Sequence, residues 1–353
     1  MNDCLGKEYK KICAVIVTYG ERGDLARRAA ERCFEENLER VILIDNGSAE
    51  SSQKKLSALA EKFEKRIKLV RLDRNTGSAG GFKRGLEEFY GEKDLEYVFL
   101  LDDDNLPSPG CVHALLRAYL ELKKSGDSPL AVFASRKING KFTQNELALI
   151  KSGGKADKNS FFGFNLLYLP QRLAKNLTGG RREEYPPDMK AVISVDSAPY
   201  GTLFFHKSVI DLIGYPMEEL YLYMDDLEYT GRIKEQGGRI YLALKASAEE
   251  MEGITWKRKK WFGGIFSYLE GNSTTRIYYA SRNVSFYEYH VLNRSHFNFL
   301  RSLNKTTYLV LIFCGAVFLN RLGNWFLILK AVRHGEIKKF SGLDSLGGEN
   351  PCK

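Results

Sequence analysis

Three adjacent carboxylates form the first group of residues that could do chemistry. Asp102, Asp103 and Asp104 (the aspartate triplet) directly follow an apolar run and precede a turn rich in proline. Neighbouring carboxylates repel one another, and a hard divalent cation with oxygen ligands relieves that repulsion. Because side chains alternate along an extended segment, Asp102 and Asp104 can face the same way. The triplet predicts one carboxylate on a ribose hydroxyl and another on a metal ion at a diphosphate. The alternative is a solvated acidic turn.

A second carboxylate group lies much later in the chain. Asp225 and Asp226 (the acidic pair) stand where a helix is predicted to begin. The helix dipole stabilises carboxylates there, so capping alone would explain them. In the functional interpretation, one member deprotonates an acceptor hydroxyl while the other holds neighbouring groups. Upstream, Tyr200, Gly201 and Thr202 lead into an apolar run and are predicted to form an acceptor-binding edge of the cleft.

A glycine-rich turn is the third signal. Glycine lets the backbone approach a ligand closely, and a helix N-terminus favours anions. The turn is neither GxGxxG nor a Walker motif, so a purely structural turn is the alternative. The donor-binding residues predicted in and after it are Asn75, Gly77, Gly80, Gly81, Lys83 and Arg84.

Apolar runs alternate with helical patterns through the first hundred residues. The predicted strands are 12–17, buried on both faces, 41–44, also buried, 67–70 and 97–101. Such alternation predicts an α/β fold, Rossmann-like, with a mostly parallel sheet flanked by helices. Ligands of these sheets bind beyond the carboxyl ends of the strands. The residues at those ends include Thr18, Tyr19, Asp45 and the aspartate triplet.

The 353 residues suffice for one large domain with an appendage or for two modest domains. We predict an N-terminal tail over 1–10 and a catalytic domain over 11–255. Within the latter, 140–190 is rich in Gly, Asn, Lys and Pro and is predicted to be a variable insertion. Residues 256–353 are predicted to form a helical, basic and aromatic extension.

The chain carries 53 Lys and Arg against 44 Asp and Glu, a net charge of +9. A basic excess suits nucleic acid, anionic lipid or a phosphorylated substrate. Six cysteines without CxxC spacing indicate reduced thiols. Residues 1–11 do not resemble a signal peptide, and the longest apolar run is shorter than the ~20 residues of a membrane span. We therefore expect a cytoplasmic protein, either free or peripheral on the inner face of the cell membrane.

Taken in order, these motifs resemble the inverting glycosyltransferases of family 2, which have the GT-A fold, over residues 11–255. The segment ending in Thr18 and Tyr19 looks like the family's opening strand, and the segment around Asp45 is similar to its nucleobase-binding turn. The aspartate triplet looks like the family's DxD element. The resemblance implies Asp45 on the base, Asp102 and Asp103 on the donor, and Asp102 and Asp104 on Mn²⁺ or Mg²⁺. It also implies that Asp226 is the catalytic base, with Asp225 beside it.

The glycine-rich turn resembles that of the rhamnosyl- and galactofuranosyltransferase branches. The resemblance implies a UDP or dTDP sugar as donor and a glycan or lipid-linked glycan as acceptor, in cell-surface polysaccharide synthesis. A single displacement would invert the anomeric centre. Galactofuranosyltransferase-like members usually place a metal-binding histidine about two dozen residues beyond the acidic pair, where this chain has none; Glu250 could supply an oxygen ligand instead.

The C-terminal part combines cations with apolar residues. Trp256 opens a run of tryptophans and cations that could touch nucleic acid, lipid headgroups or a diphosphate-linked acceptor; we predict that Trp256 binds the acceptor. Further on, apolar segments over 309–319 and 325–329 precede Lys330 and Arg333. These segments either lie in a membrane interface or pack as a helical hairpin on the catalytic domain.

Two other functions use some of the same features. A nucleotidyltransferase would also bring a nucleotide, a metal and carboxylates together, but the chain lacks a basic glycine-rich loop after its first strand. A nucleic-acid-binding protein would explain the charge of +9 and the Trp–Lys/Arg run. It leaves the acidic strand ends unexplained, because such carboxylates repel phosphates. We expect no nucleic-acid partner. The sequence leaves the donor sugar and the oligomeric state open.

Overall fold

The computed structural model describes residues 6, 8–126, 129–152, 155, 157–170, 191–252, 266–271, 273–292 and 299–340. These residues fall into two compact units. The first contains the described residues as far as 155, together with 191–221 and 225–252. The second contains 157–170, 222–224 and the described residues from 266 onwards. The domain boundary predicted between 255 and 256 lies outside the described residues.

The first unit is built on one sheet of ten strands. They are β1 (Ile12–Gly20), β2 (Arg40–Ser48), β3 (Ile67–Leu72), β4 (Tyr97–Asp102), β5 (Asn105–Pro107), β6 (Leu130–Ile138), β7 (Lys141–Phe142), β8 (Val192–Val195), β9 (Leu203–His206) and β10 (Arg239–Glu250). Their order across the sheet is β3-β2-β1-β4-β9-β6-β10-β5, with β7 beside β6 and β8 beside β10.

The six strands that make up most of this sheet run in one direction. β3, β2, β1 and β4 are parallel neighbours, and β10 is parallel to β6. The short β9 pairs antiparallel with both β4 and β6, so it joins the two parallel groups without reversing them. The carboxyl ends of β1, β2, β4, β6 and β10 therefore lie at one edge. The predicted fold class, a mostly parallel sheet flanked by helices, is confirmed.

Helices cover both faces of the sheet. Alternate residues of β1 accordingly lie in two separate apolar clusters, one on each face. Ile12, Ala14 and Ile16 belong to one cluster, and Cys13 and Val15 to the other. The helices of this unit are α1 (Gly23–Glu35), α2 (Glu50–Lys62), α3 (Gly77–Gly91), α4 (Cys111–Lys124), α5 (Gln144–Lys151), α6 (Ser208–Ile213) and α7 (Asp225–Glu235). Apolar side chains of α1, α2 and α4 pack in the first cluster, and those of α3, α6 and α7 in the second.

The second unit contains the helical region expected at the C-terminus. Its helices are α8 (Thr274–Phe286), which continues into a π-helical turn (Tyr287–Leu292), α9 (Phe299–Phe318) and α10 (Leu322–Glu336). Ile277, Tyr308, Ile312 and Ile328 lie in its apolar core. None of the described helices is long and apolar enough to cross a lipid bilayer.

Candidate active site

The middle residue of the aspartate triplet is anchored within the protein. Asp103 is 3% exposed and accepts a hydrogen bond of 2.6 Å from the Thr18 hydroxyl. Arg22 donates to it from both Nε, at 2.9 Å, and Nη2, at 2.7 Å. Burial raises the pKa of Asp103, whereas its bonds with Arg22 and Thr18 lower that pKa. Thr18 and Asp103, both predicted to bind the donor, therefore hold each other in place.

Arg22 was not singled out from the sequence. It lies between β1 and α1 and also donates to Asp104 Oδ2 at 2.9 Å and to Glu252 Oε2 at 2.5 Å. Its guanidinium carbon is 5.3 Å from the centre of the Tyr19 ring. One cation thus draws carboxylates of the triplet and of the region after β10 together. A lone arginine after a strand gave no pattern that could have predicted these contacts.

Asp102 has a pKa far above that of an ordinary aspartate. Burial, the largest cause, together with the charges of Asp104 and Asp226, raises its pKa to about 8. Asn105 Nδ2 lies 3.3 Å from Asp102 Oδ2 and donates to Asp104 Oδ1 at 3.0 Å. At Gly201 a Cβ would lie only 2.6 Å from Asp102 Oδ2. The predicted cleft residue Gly201 therefore allows the backbone to approach this carboxylate.

The acidic pair opens α7 and lies close to the triplet. Ser78 donates to Asp225 Oδ2 at 2.7 Å, and the Leu227 backbone N–H donates to Asp226 Oδ1 at 2.8 Å. Burial raises the pKa of both carboxyls, and the charge of Asp102 adds to the rise at Asp225. Because Asp226 in turn raises the pKa of Asp102, carboxylates from distant parts of the chain share one electrostatic environment.

Glu250, at the end of β10, lies in the same electrostatic environment as these carboxylates. The strand register places it opposite Asn105 of β5. Burial raises the pKa of Glu250, the charge of Asp104 raises it further, and Arg136 lowers it. Arg136, at the carboxyl end of β6, also lowers the pKa of Asp102 and Asp226. This second cation was likewise missed, because only the sheet topology brings it to the carboxylates.

A divalent cation fits the chemistry of these donors. The charge of Asp104 raises the pKa of both Asp102 and Glu250, and a cation would relieve that repulsion. Within the described part of the chain, no three acidic, histidine or cysteine side chains are already arranged around a metal position. Magnesium sites at phosphates use about one or two carboxylates together with phosphate oxygens. Asp102, Asp104 and Glu250 thus fit an ion whose shell a diphosphate completes.

Asp45 presents a buried acceptor at the end of β2. It is 1% exposed, and its Oδ1 accepts from the Ser48 backbone N–H at 2.9 Å. Its Oδ2 accepts no hydrogen bond from the described residues and lies 3.5 Å from Arg71 Nε. An unmade hydrogen bond of a buried polar atom is unfavourable. An N–H group of a ligand would satisfy this oxygen.

The glycine-rich turn is held by the protein itself. Asn75 Oδ1 accepts from the Gly77 backbone N–H at 2.8 Å. Gly77 has φ +74°, and a Cβ there would lie 1.9 Å from the Tyr221 carbonyl oxygen. At Gly80 and Gly81 a Cβ would meet Thr76 and Val17 side chains at 2.4 and 2.6 Å. Close packing therefore accounts for all three glycines, and their contact with a donor remains a prediction.

The remaining predicted residues differ in how the structure places them. Tyr200 is buried, its hydroxyl makes no hydrogen bond to the described residues, and burial followed by the charges of the acidic pair raises its pKa. Thr202 is fully buried and its hydroxyl donates to the Ala134 carbonyl at 2.9 Å, which does not support acceptor binding by its side chain. Lys83 and Arg84 form ion pairs with Glu218 and Glu88. Trp256 lies outside the described residues.

Residues 13–173 match the model of the family described as glycosyl transferase family 2. No curated protein shows significant similarity to the chain. The fold is similar to a crystal structure of GalNAc-T7 with UDP, GalNAc and Mn²⁺, at 14% identity and a TM-score of 0.51, covering 84% of this chain and 53% of that one. A mannosyltransferase, PcManGT from Pyrobaculum calidifontis, in complex with GDP-Man and Mn²⁺, gives 12% identity and a TM-score of 0.49, covering 93% and 88%. The chain thus spans about half the length of GalNAc-T7.

The family match begins in β1 and includes Asp45, the glycine-rich turn and the aspartate triplet, but ends before the acidic pair. It supports the predicted family over residues 13–173 and leaves the predicted branch within it open. The sheet carries the matched residues at its carboxyl edge, as in the predicted GT-A fold. Residues 13–173 of the chain therefore resemble glycosyl transferase family 2 in sequence, and the fold agrees with that resemblance.

Proposed function

We propose that the chain is an inverting glycosyltransferase. It moves a sugar from a UDP or dTDP donor, galactofuranose or rhamnose in class, to a glycan or lipid-linked glycan during cell-surface polysaccharide synthesis. The observation that carries this proposal is the shared electrostatic environment of the triplet, the acidic pair and Glu250 at one sheet edge. We further propose that the chain works in the cytoplasm, at the inner face of the cell membrane.

The donor would bind across the ends of β1, β2 and β4. Asp45 Oδ2, which accepts no hydrogen bond from the described residues, would accept an N–H of the nucleobase, and Asp102 would accept a ribose hydroxyl. Asp102, Asp104 and Glu250 would hold Mn²⁺ or Mg²⁺, which neutralises charge on the departing diphosphate. Arg136, which interacts with the same carboxylates, adds a fixed positive charge beside them.

Asp226 would then act as the base. Burial raises its pKa, and a carboxylate with a higher pKa is a stronger proton acceptor. It takes the proton of the acceptor hydroxyl as that oxygen attacks the anomeric carbon, and the carbon–oxygen bond to the diphosphate breaks on the opposite face. One displacement inverts the centre. Asp225, fixed by Ser78, keeps the start of α7 in place.

A donor screen tests this function. The purified chain is incubated with a panel of sugar nucleotides and Mn²⁺, and released UDP or dTDP is measured. We expect release from one class of donor, loss of release with EDTA, and recovery on adding Mn²⁺. Release of pyrophosphate from a nucleoside triphosphate and a sugar phosphate would instead indicate a nucleotidyltransferase. Thermal stabilisation by oligonucleotides, and not by UDP or dTDP with Mn²⁺, would contradict both enzyme hypotheses.

A further inference from the structure

The second unit exposes an apolar surface on the helical hairpin formed by α9 and α10. On α9, Val310, Phe313 and Val317 follow one another at helical spacing, so they share a face. Phe318, at the end of α9, is 82% exposed, and Phe326 on α10 is 62% exposed. The surfaces of soluble proteins rarely expose several large apolar side chains together unless a partner covers them. We call this surface, with Leu322, the hairpin face.

Cations continue the hairpin face along α10. Phe326, Lys330 and Arg333 are spaced i, i+4 and i+7, and all three are exposed. Between residues 299 and 340 the chain has one acidic residue, Glu336, whose carboxylate lies 2.6 Å from Lys305 Nζ. The Lys and Arg residues of this stretch are Arg301, Lys305, Arg321, Lys330, Arg333, Lys338 and Lys339.

An apolar surface bordered by cations fits an anionic lipid bilayer. Exposed apolar side chains enter the boundary between headgroups and acyl chains, while Lys and Arg meet the headgroup phosphates. A second copy of the chain fits less well, because a two-fold interface would set this cationic surface against itself. Nucleic acid would meet the cations but leave the aliphatic side chains exposed to water.

We propose that the hairpin face docks on an anionic membrane surface. Phe318, Leu322 and Phe326 enter the headgroup region, and Lys330 and Arg333 bind lipid phosphates. A lipid-linked glycan acceptor is presented at such a surface, so docking would bring the chain to its acceptor. The biological meaning of the docking therefore rests on the proposed function. Binding of lipid itself does not depend on the sugar transferred.

Vesicle flotation of the full chain tests the proposal. We expect the chain to float with phosphatidylcholine vesicles containing about 30 mol % phosphatidylglycerol and far less with pure phosphatidylcholine. The double variant F318S/F326S should lose at least about tenfold in vesicle affinity. K330E/R333E should abolish the preference for phosphatidylglycerol. L212S and K54E, at exposed positions of α6 and α2, serve as matched controls that should bind like the parent chain.

Other occupants of the hairpin face would give different results in these experiments. If F318S/F326S instead converts a dimer to a monomer in light scattering, a second copy covers the hairpin face and the proposal is wrong. Unchanged vesicle binding in both double variants, or tighter binding to an oligonucleotide than to anionic vesicles, would also overturn it. Thermal unfolding checks that the variants fold. Donor cleavage should be the same in all of them, so a failure of lipid binding and a failure of the proposed transfer are separately visible.

Discussion

Arg22 and Asp103 show how a cluster of like charges is tolerated at the site. Three adjacent carboxylates would repel one another, but the central one is neutralised by a cation that donates to it from two nitrogens. Asp103 is thereby held in place, while Asp102 and Asp104, the latter also paired with Arg22, can serve a ligand. The sequence predicted the triplet as a site but could not assign separate tasks to its members, because the partner of Asp103 comes from another loop.

Replacing Arg22 by lysine should destabilise the first unit. Lysine cannot reproduce the two-nitrogen contact, and the Arg22 and Asp103 side chains are 16% and 4% exposed. Breaking a buried ion pair costs about 3–5 kcal/mol, and lysine, which keeps the charge, should cost less than that. Urea unfolding measures the change. R27K on α1, whose ion pair with Glu31 is at the surface, should differ from the parent by less than about 0.5 kcal/mol. An equal effect of both variants would contradict the role given to Arg22.

Gly201→Ala tests the close approach of backbone to Asp102. The added Cβ would lie 2.6 Å from Asp102 Oδ2 and 3.1 Å from Asn105 Nδ2, so the carboxylate must move. We expect about 1–3 kcal/mol of destabilisation and weaker binding of donor with Mn²⁺. Gly231→Ala in α7 is the control, since its Cβ would meet nothing within 4 Å. That change should stabilise the helix by up to about 1 kcal/mol. Parent-like donor affinity in the Gly201 variant would contradict this account.

Strand ends and helix starts were the most predictable elements. Continuous apolar runs indicated β1 to β4, and apolar spacing indicated α1 to α3, because local periodicity decides both. The antiparallel placement of β9 between β4 and β6 could not be predicted, since strand order depends on contacts between distant residues. The glycines of α3 were predicted to approach a ligand, but Gly81 also brings the helix close to Val17 of β1. Sequence pattern alone does not separate these two roles of glycine.

Glu288, in the π-helical turn, should make the second unit less stable as pH rises. Burial raises its pKa from 4.5 to about 8, although Arg301 lowers it. The folded chain therefore holds a proton that the unfolded chain has released, and the free energy of unfolding falls between about pH 4.5 and 8. The slope is at most about 1.4 kcal/mol per pH unit. Glu288→Gln keeps an acceptor for the Phe162 backbone N–H and should flatten the slope in thermal unfolding at several pH values. An unchanged slope would contradict this prediction.

At the scale of the whole molecule, one sheet positions the side chains of the candidate active site. Strands that run in one direction bring Asp45, Asp102, Arg136 and Glu250 to a single edge, and α7 adds the acidic pair. The sequence could predict this convergence for β1, β2 and β4, because parallel strands share a carboxyl edge. It could not predict the contributions of β6, whose place in the sheet depends on β9 and β10. Charge patterning did indicate a cationic C-terminal region, and the structure shows its exposed cations beside apolar side chains.

The central claim is that Asp226 removes the acceptor proton beside a donor held by the triplet. Asp226→Asn keeps the size of the side chain and its contact with the Leu227 backbone N–H but removes the basic oxygen. In single-turnover transfer we predict a loss of about 10²–10⁴-fold, with affinity for UDP or dTDP and Mn²⁺ close to that of the parent. Asp24→Asn, at an exposed ion pair with Lys55, should transfer at the parent's rate. Transfer at the parent's rate by the Asp226 variant would contradict the account.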